Sequence, residues 1–184
     1  MQKKAIVLLA EGFEEIEAIT IIDVLRRSGV GVDACGIDSL RVKGSRGINV
    51  FADIILKNVT GIYDACALPG GMPGAANLFA DKRIRGMLLT QAKTDSGLIA
   101  AICSSPAVVL APLGILDNKS ATCYPGMESA FSKTTKYVDN DVVIDKNTIT
   151  GKGPAAALKF ALTLVNALCG QLTADKTAKS LLLR

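Results

Sequence analysis

Residues 97–106 read Gly97-Leu98-Ile99-Ala100-Ala101-Ile102-Cys103-Ser104-Ser105-Pro106. An unbroken apolar run stops on a cysteine, and two hydroxyl residues and a proline follow before Ala107-Val108-Val109-Leu110 turns apolar again. A short apolar run bounded by turn signals fits a strand buried on both faces. A proline suits the first turn of a helix, where its missing N–H satisfies no bond in any case. The stretch therefore predicts strand, sharp turn and buried helix, with the thiol held at the turn as in a nucleophile elbow. A helix start points unpaired N–H groups and partial positive charge at such a sulfur and favours the thiolate.

The rest of the chain alternates in the same manner. Residues 4–10 are a short apolar strand, and Glu11-Gly12-Phe13 turns the chain. Over 14–28, Ile16, Ile19, Ile22 and Leu25 recur at helical spacing until Gly29 stops the helix. Strands are expected at 30–37 and 64–68, with a hairpin or edge excursion around Gly44 and Gly47 within 42–55. A helix over 81–93 precedes the strand that leads to Cys103. Short strands follow at 120–123, 142–144 and 148–150. Gly153-Pro154 then opens a long helix lined by Leu158, Ala161, Leu162, Val165 and Leu168 and ended by Gly170. Strands alternating with helices predict an α/β fold of flavodoxin-like type, a doubly wound, mostly parallel sheet with helices on both faces. Sites in such sheets lie beyond the carboxyl ends of the strands. Three strands deliver unusual residues there: acids 11–17, the loop Pro69-Gly70-Gly71-Met72-Pro73-Gly74, and Cys103.

With 184 residues, one domain over 1–184 is expected, large enough to bury about 70% of its unfolded surface. The chain is 49% apolar yet has five Phe, three Tyr and no Trp, so small and branched side chains must fill the core. A net charge of +4, with basic residues scattered, forms no nucleic-acid footprint. The twenty uncharged residues of 97–116 contain two serines and two prolines and read as buried strand and helix rather than a membrane span. Five cysteines without a CxxC pair, behind a start that is no signal peptide, fit free thiols in a reducing, cytoplasmic setting.

The chemistry centres on Cys103. A free thiol is only about 3% ionised at neutral pH, and a helix terminus lowers its pKa by at most ~1.5 units. Further activation needs a hydrogen bond to the thiolate. Glu17, one turn inside the first helix, is placed to point inward, and in its protonated form it would donate to the sulfur. Glu11, Glu14 and Glu15 are expected to be solvated acids near the helix dipole. Gly70 and Gly71 match neither a phosphate loop nor the dinucleotide fingerprint, and are expected to bring backbone N–H groups to the sulfur as an oxyanion site. Histidine occurs nowhere, which removes Cys–His and Ser–His–Asp arrangements and with them ordinary peptidase chemistry. The cysteine spacings offer no zinc cluster, and no cofactor or metal is expected.

The pieces L-A-E-G-F-E-E-I-E (9–17), D-V-L-R-R-S-G (23–29), S-R-G (45–47), L-P-G-G (68–71), A-A-I-C-S-S-P (100–106) and G-P (153–154) fall in order over nearly the whole chain. Together they resemble the ThiJ/PfpI superfamily, most closely the branch of the Parkinsonism-associated deglycase. The resemblance implies a nucleophile at Cys103 and a protonated partner at Glu17. It implies amides of Gly71 and Ser104 facing the reacting oxygen, a pocket wall at Gly153 and Pro154, and arginines near the pocket at Arg46 and Arg27. Relatives often carry histidine in a T-x-H-P turn, whereas Thr122-Cys123-Tyr124-Pro125 places Tyr124 there. The branch implies a cofactor-free homodimer acting on methylglyoxal, glyoxal or their early glycated adducts. The alternative is an oxidative-stress sensor or chaperone whose thiol becomes sulfinate, or is resolved as a disulfide by Cys123.

Overall fold

Strand β1 (Lys4–Leu9) is the axis of the structure, because five consecutive apolar residues bury both of its faces. Ala5, Val7 and Leu9 point into one apolar layer, and Ile6 and Leu8 into the other. The computed structural model describes residues 2–94 and 97–183. After β1 come α1 (Glu15–Arg27), β2 (Gly31–Gly36), the antiparallel hairpin β3 (Arg41–Lys43) and β4 (Asn49–Phe51), and the two-residue β5 (Ile54–Ile55). Next are β6 (Ala65–Leu68), α2 (Gly74–Ala80), α3 (Lys82–Ala92) and β7 (Leu98–Ile102). β8 (Ser120–Ala121) and β9 (Lys136–Tyr137) pair beside the sheet, and β10 (Val142–Asp145), β11 (Thr148–Gly151), α4 (Ala157–Cys169) and α5 (Gln171–Ser180) complete the order.

The main sheet runs β10-β11-β7-β6-β1-β2-β5, parallel throughout except for the β10–β11 edge pair. Ile21 and Leu25 of α1 and Phe160 and Leu164 of α4 cover one face, whereas Leu78 of α2 and Ile84 and Leu88 of α3 cover the other. This is the doubly wound α/β sheet expected. Among the described residues no helix is long and apolar enough to cross a membrane.

Several local expectations differ. The stripe of α1 that packs inward is Ala18, Ile21, Ile22 and Leu25, while Ile16 is 58% and Ile19 44% exposed. The i, i+3, i+4, i+7 set beginning at Ala18 keeps to one face, whereas steps of three alone drift around the helix. In α4 the inward residues are Phe160, Ala161, Leu164, Val165 and Leu168, with Leu158 and Leu162 only half-buried beside them. The segment after Cys103 is one π turn, Pro106–Leu110, followed by irregular turns rather than a longer helix. Neither α2 nor α5 was expected.

Two glycines should respond in opposite directions to an added methyl group. On Gly151 of β11 a Cβ would lie 2.8 Å from both Ile102 Cγ1 and Phe160 Cδ2, whereas on Gly86 inside α3 it would meet nothing within 4 Å. Gly151→Ala is expected to lower stability by about 1–3 kcal/mol through overpacking. Gly86→Ala should raise it by about 0.5–1 kcal/mol through lost unfolded-chain freedom. Urea denaturation of the two variants checks both signs.

Candidate active site

Cys103 follows β7 directly, and its φ of 65° lies in the left-handed region that residues with a side chain seldom adopt. Its backbone is tied on both sides. Its N–H donates to Gly151 O at 2.9 Å, and its carbonyl accepts from Tyr124 N–H at 2.8 Å. The bend leaves the thiol at the strand ends, where the neighbouring backbone N–H groups of Ser104 and Gly71 favour its ionised form. Gly71 itself has φ 91°, and a Cβ there would lie 2.5 Å from both Glu14 N and Gly12 O. The loop after β6 is thus pressed onto the β1–α1 turn. It is fastened by Glu14 N–H to Gly70 O at 2.9 Å and Ser105 Oγ to Pro69 O at 2.6 Å.

Glu17 lies beneath the thiol, fully buried. Its Oε2 accepts from Gly70 N–H at 2.7 Å, while Oε1 has no partner. The N–H of Gly70 is therefore spent on Glu17 and not turned to the sulfur; of the two glycines expected as oxyanion donors, only Gly71 faces it. Gly70 also has no room for a side chain, since a Cβ would sit 2.6 Å from Cys103 Cβ. Burial, helped by the neighbouring Glu14 charge, holds the Glu17 carboxyl up at about 7, against the Gly70 hydrogen bond and the adjacent Cys103 thiol. For Cys103, burial and then the adjacent Glu17 carboxylate push the thiol up to about 12, against the Ser104 and Gly71 amides. A thiol depressed by the turn alone is not what this environment produces. The two groups titrate as a pair, and the thiolate becomes favourable when Glu17 carries the proton.

Above the pair opens a cleft of about 630 Å³ lined by polar Glu14, Ser45 and Arg46 and by apolar Met72, Tyr124, Pro125, Met127 and Pro154. Glu14 and Glu15 are buried rather than solvated. The reason is the β3–β4 hairpin: Arg46 N–H and Ile48 N–H donate to Glu15 Oε1 at 2.8 and 3.3 Å, and Ser45 Oγ lies 3.2 Å from a carboxylate oxygen of each acid. Those hydrogen bonds hold the Glu15 carboxyl below its usual range despite its burial. Glu11 stays exposed. These contacts were hidden in the sequence, where nothing shows that 44–48 returns to the start of α1.

Gly153 stands behind the Tyr124 ring, bordering a smaller cavity next to the cleft. Arg27 is not brought to the cleft within this chain. It ends α1, about 15 Å along the axis from Glu17, and its Nε pairs with Asp23 at 2.6 Å. Cys123 is fully buried, and burial together with the Glu128 charge pushes its thiol up to about 12. Among the described residues no three His, Cys, Asp or Glu side chains converge to hold a metal ion.

The chain matches the DJ-1/PfpI family over residues 3–167. It is 40% identical over 185 residues to the protein dj-1beta of Drosophila melanogaster, covering 99% of this chain and 98% of the relative. It is 39% identical to the glutathione-independent glyoxalase DJR-1.2 of Caenorhabditis elegans, covering 99% and 97%. The solved structure of oxidized Toxoplasma gondii DJ-1 superposes with a TM-score of 0.94 at 39% identity, covering 98% of both chains. With its elbow cysteine, its buried glutamate and this likeness over almost its full length, the chain belongs to the DJ-1/PfpI family.

Proposed function

We propose that this protein is a cofactor-free glyoxalase acting on small α-oxoaldehydes through Cys103 and Glu17. The observation that carries the reading is the unpartnered, buried Oε1 of Glu17 below an elbow thiol. A carboxyl in that position holds a proton near neutral pH and can give and take it without a histidine. The name of the Caenorhabditis elegans relative supports the same chemistry.

The thiolate of Cys103 adds to the aldehyde carbon of methylglyoxal, and the oxygen formed takes a proton, giving a hemithioacetal. The N–H groups of Ser104 and Gly71 face that oxygen as it gains charge. Ionised Glu17 removes the C1 proton, and the resulting enediol is reprotonated at C2. Carbon C1 is thereby oxidised to a thioester and C2 reduced to an alcohol. Water cleaves the thioester, releasing lactate and the thiol; glyoxal gives glycolate by the same route. Hydrolysis of early amine or thiol adducts would begin from the same aldehyde in masked form. The exposed Ile16 and Ile19 of α1 support the homodimer that the family resemblance implies.

A second reading, oxidation of Cys103 as the output, is favoured by one observation: the Toxoplasma gondii relative was solved oxidized. The buried Cys123 thiol disfavours a disulfide there, so the product would be a sulfinate held by protonated Glu17 and the neighbouring amides.

Five outcomes are expected. Cys103→Ser should consume methylglyoxal at less than about one-hundredth of the wild-type rate, and wild-type turnover by that variant would overturn the glyoxalase reading. The kcat/KM of the wild type should rise with pH through about 7, where the pair loses its first proton. Glu17→Gln keeps a donor but cannot shuttle a proton, so thiolate absorbance should persist while turnover falls about 10²–10⁴-fold. Glu17→Leu should lose both, with the thiol titrating higher; normal turnover by the Gln variant would make Glu17 a pKa-setting group only. Intact mass after mild peroxide should show a gain of about 32 Da at Cys103, two oxygen atoms, and a loss of about 2 Da would instead show a disulfide.

A further inference from the structure

The cleft over Cys103 has a mixed lining. Glu14, Ser45 and Arg46 are its polar part; Met72, Tyr124, Pro125, Met127 and Pro154 make up its apolar side. At about 630 Å³ its size is that of a site for a substantial organic molecule, and a three-carbon aldehyde on the sulfur reaches little of the apolar side. Met72 is 54% and Tyr124 49% exposed, so this side is apolar surface left open to water at the mouth of the cleft. Tyr124 is anchored to the nucleophile itself, its N–H bonded to the Cys103 carbonyl at 2.8 Å. Its ring also borders a second cavity of about 130 Å³, which Gly153, Ala155 and Ala156 help to enclose and which shares Tyr124, Pro125 and Pro154 with the cleft. Tyr124 therefore lines both cavities. A Cβ on Gly153 would approach Cδ2 of the ring to 3.6 Å, so the ring stands close to bare backbone.

We propose that this apolar side, with the Tyr124 ring at its centre, selects α-oxoaldehydes that carry a bulky apolar or aromatic substituent over those that carry hydrogen or methyl. The proposal rests on the aldehyde reading above. With the aldehyde carbon on Cys103, the substituent extends into the cleft that Met72, Tyr124 and Met127 line. An aromatic pair shifts an equilibrium about two- to tenfold beyond the area it buries, and methionine adapts its shape to either a flat or a branched group. Tyr124 acts here as a specificity-determining wall through its ring, not its hydroxyl.

The test compares initial kcat/KM for phenylglyoxal and methylglyoxal in the wild type, Tyr124→Phe and Tyr124→Ser. The wild type should favour phenylglyoxal by about tenfold, Tyr124→Phe should keep that ratio within about twofold, and Tyr124→Ser should lower it about tenfold. A wild-type ratio near one, or equal losses in the Phe and Ser variants, overturns the proposal. A readout independent of turnover is alkylation of Cys103 by N-phenylmaleimide and N-methylmaleimide, each rate divided by its rate with glutathione. The phenyl reagent should be favoured in the wild type and lose its advantage in Tyr124→Ser; no advantage in the wild type counts against the proposal. If methylglyoxal is consumed but neither assay shows a preference, the selection falls and the aldehyde reading stands. If neither aldehyde is consumed, the aldehyde reading falls and takes the selection with it.

Discussion

The N–H of Gly70 donates to Oε2 of Glu17 at 2.7 Å, and the bond exists because Gly70 has no side chain to hold the loop away from Cys103. Three separate strand ends meet at this contact. β1 leads into the helix that carries Glu17, β6 leads into Gly70, and β7 leads into the cysteine. These strands are neighbours in the sheet, β7-β6-β1, so parallel pairing sets the lateral spacing and the loops need only descend onto one another. Gly71 and Gly12 complete the descent, both with positive φ, in a contact where an added Cβ on either would strike backbone. The site is thus a consequence of close backbone packing before it is a consequence of side-chain chemistry.

That packing explains why a carboxyl and a thiol share one proton. Removing Glu17 from water penalises its charge, and one of its oxygens finds no donor to offset the penalty. Neutralisation is the available relief, and it gives the carboxyl a proton beside the Cys103 thiol. Cys103 meets the opposite condition: an ionised neighbour raises its pKa, and a neutral one removes that obstacle. Each group is thus most easily ionised when the other is not.

How much of this could be read from the sequence depends on the range of the information. The strand ending at Cys103, the turn at Gly70-Gly71 and the inward Glu17 were legible because each is a local pattern of apolar run, glycine or helical spacing. The α/β alternation likewise follows from short-range periodicity. Glu14 and Glu15 were misjudged because their burial depends on Ser45, Arg46 and Ile48, some thirty residues away, which return through a hairpin: Ser45 Oγ meets both acids, and the two N–H groups meet Glu15. Ile16 and Ile19 were placed inside by a spacing that the neighbouring Ala18 and Ile21 satisfy better. Helix α5, Gln171–Ser180, has an apolar stripe too slight to show, since only Ala174 and Thr177 of it are buried. Arg27 lies at the other end of α1, a distance that motif matching along the chain does not measure.

The left-handed conformation of Cys103 has an evolutionary side. Holding a residue with a Cβ at φ 65° costs about 1–3 kcal/mol, which the bonds to Gly151 and Tyr124 must sustain in every folded molecule. Glycine at this position would adopt the same turn without that cost. Selection for stability alone therefore pulls residue 103 away from cysteine. A lineage that retains the thiol in this bend is under continuing demand for what the sulfur does, and one released from that demand has a downhill path to losing it.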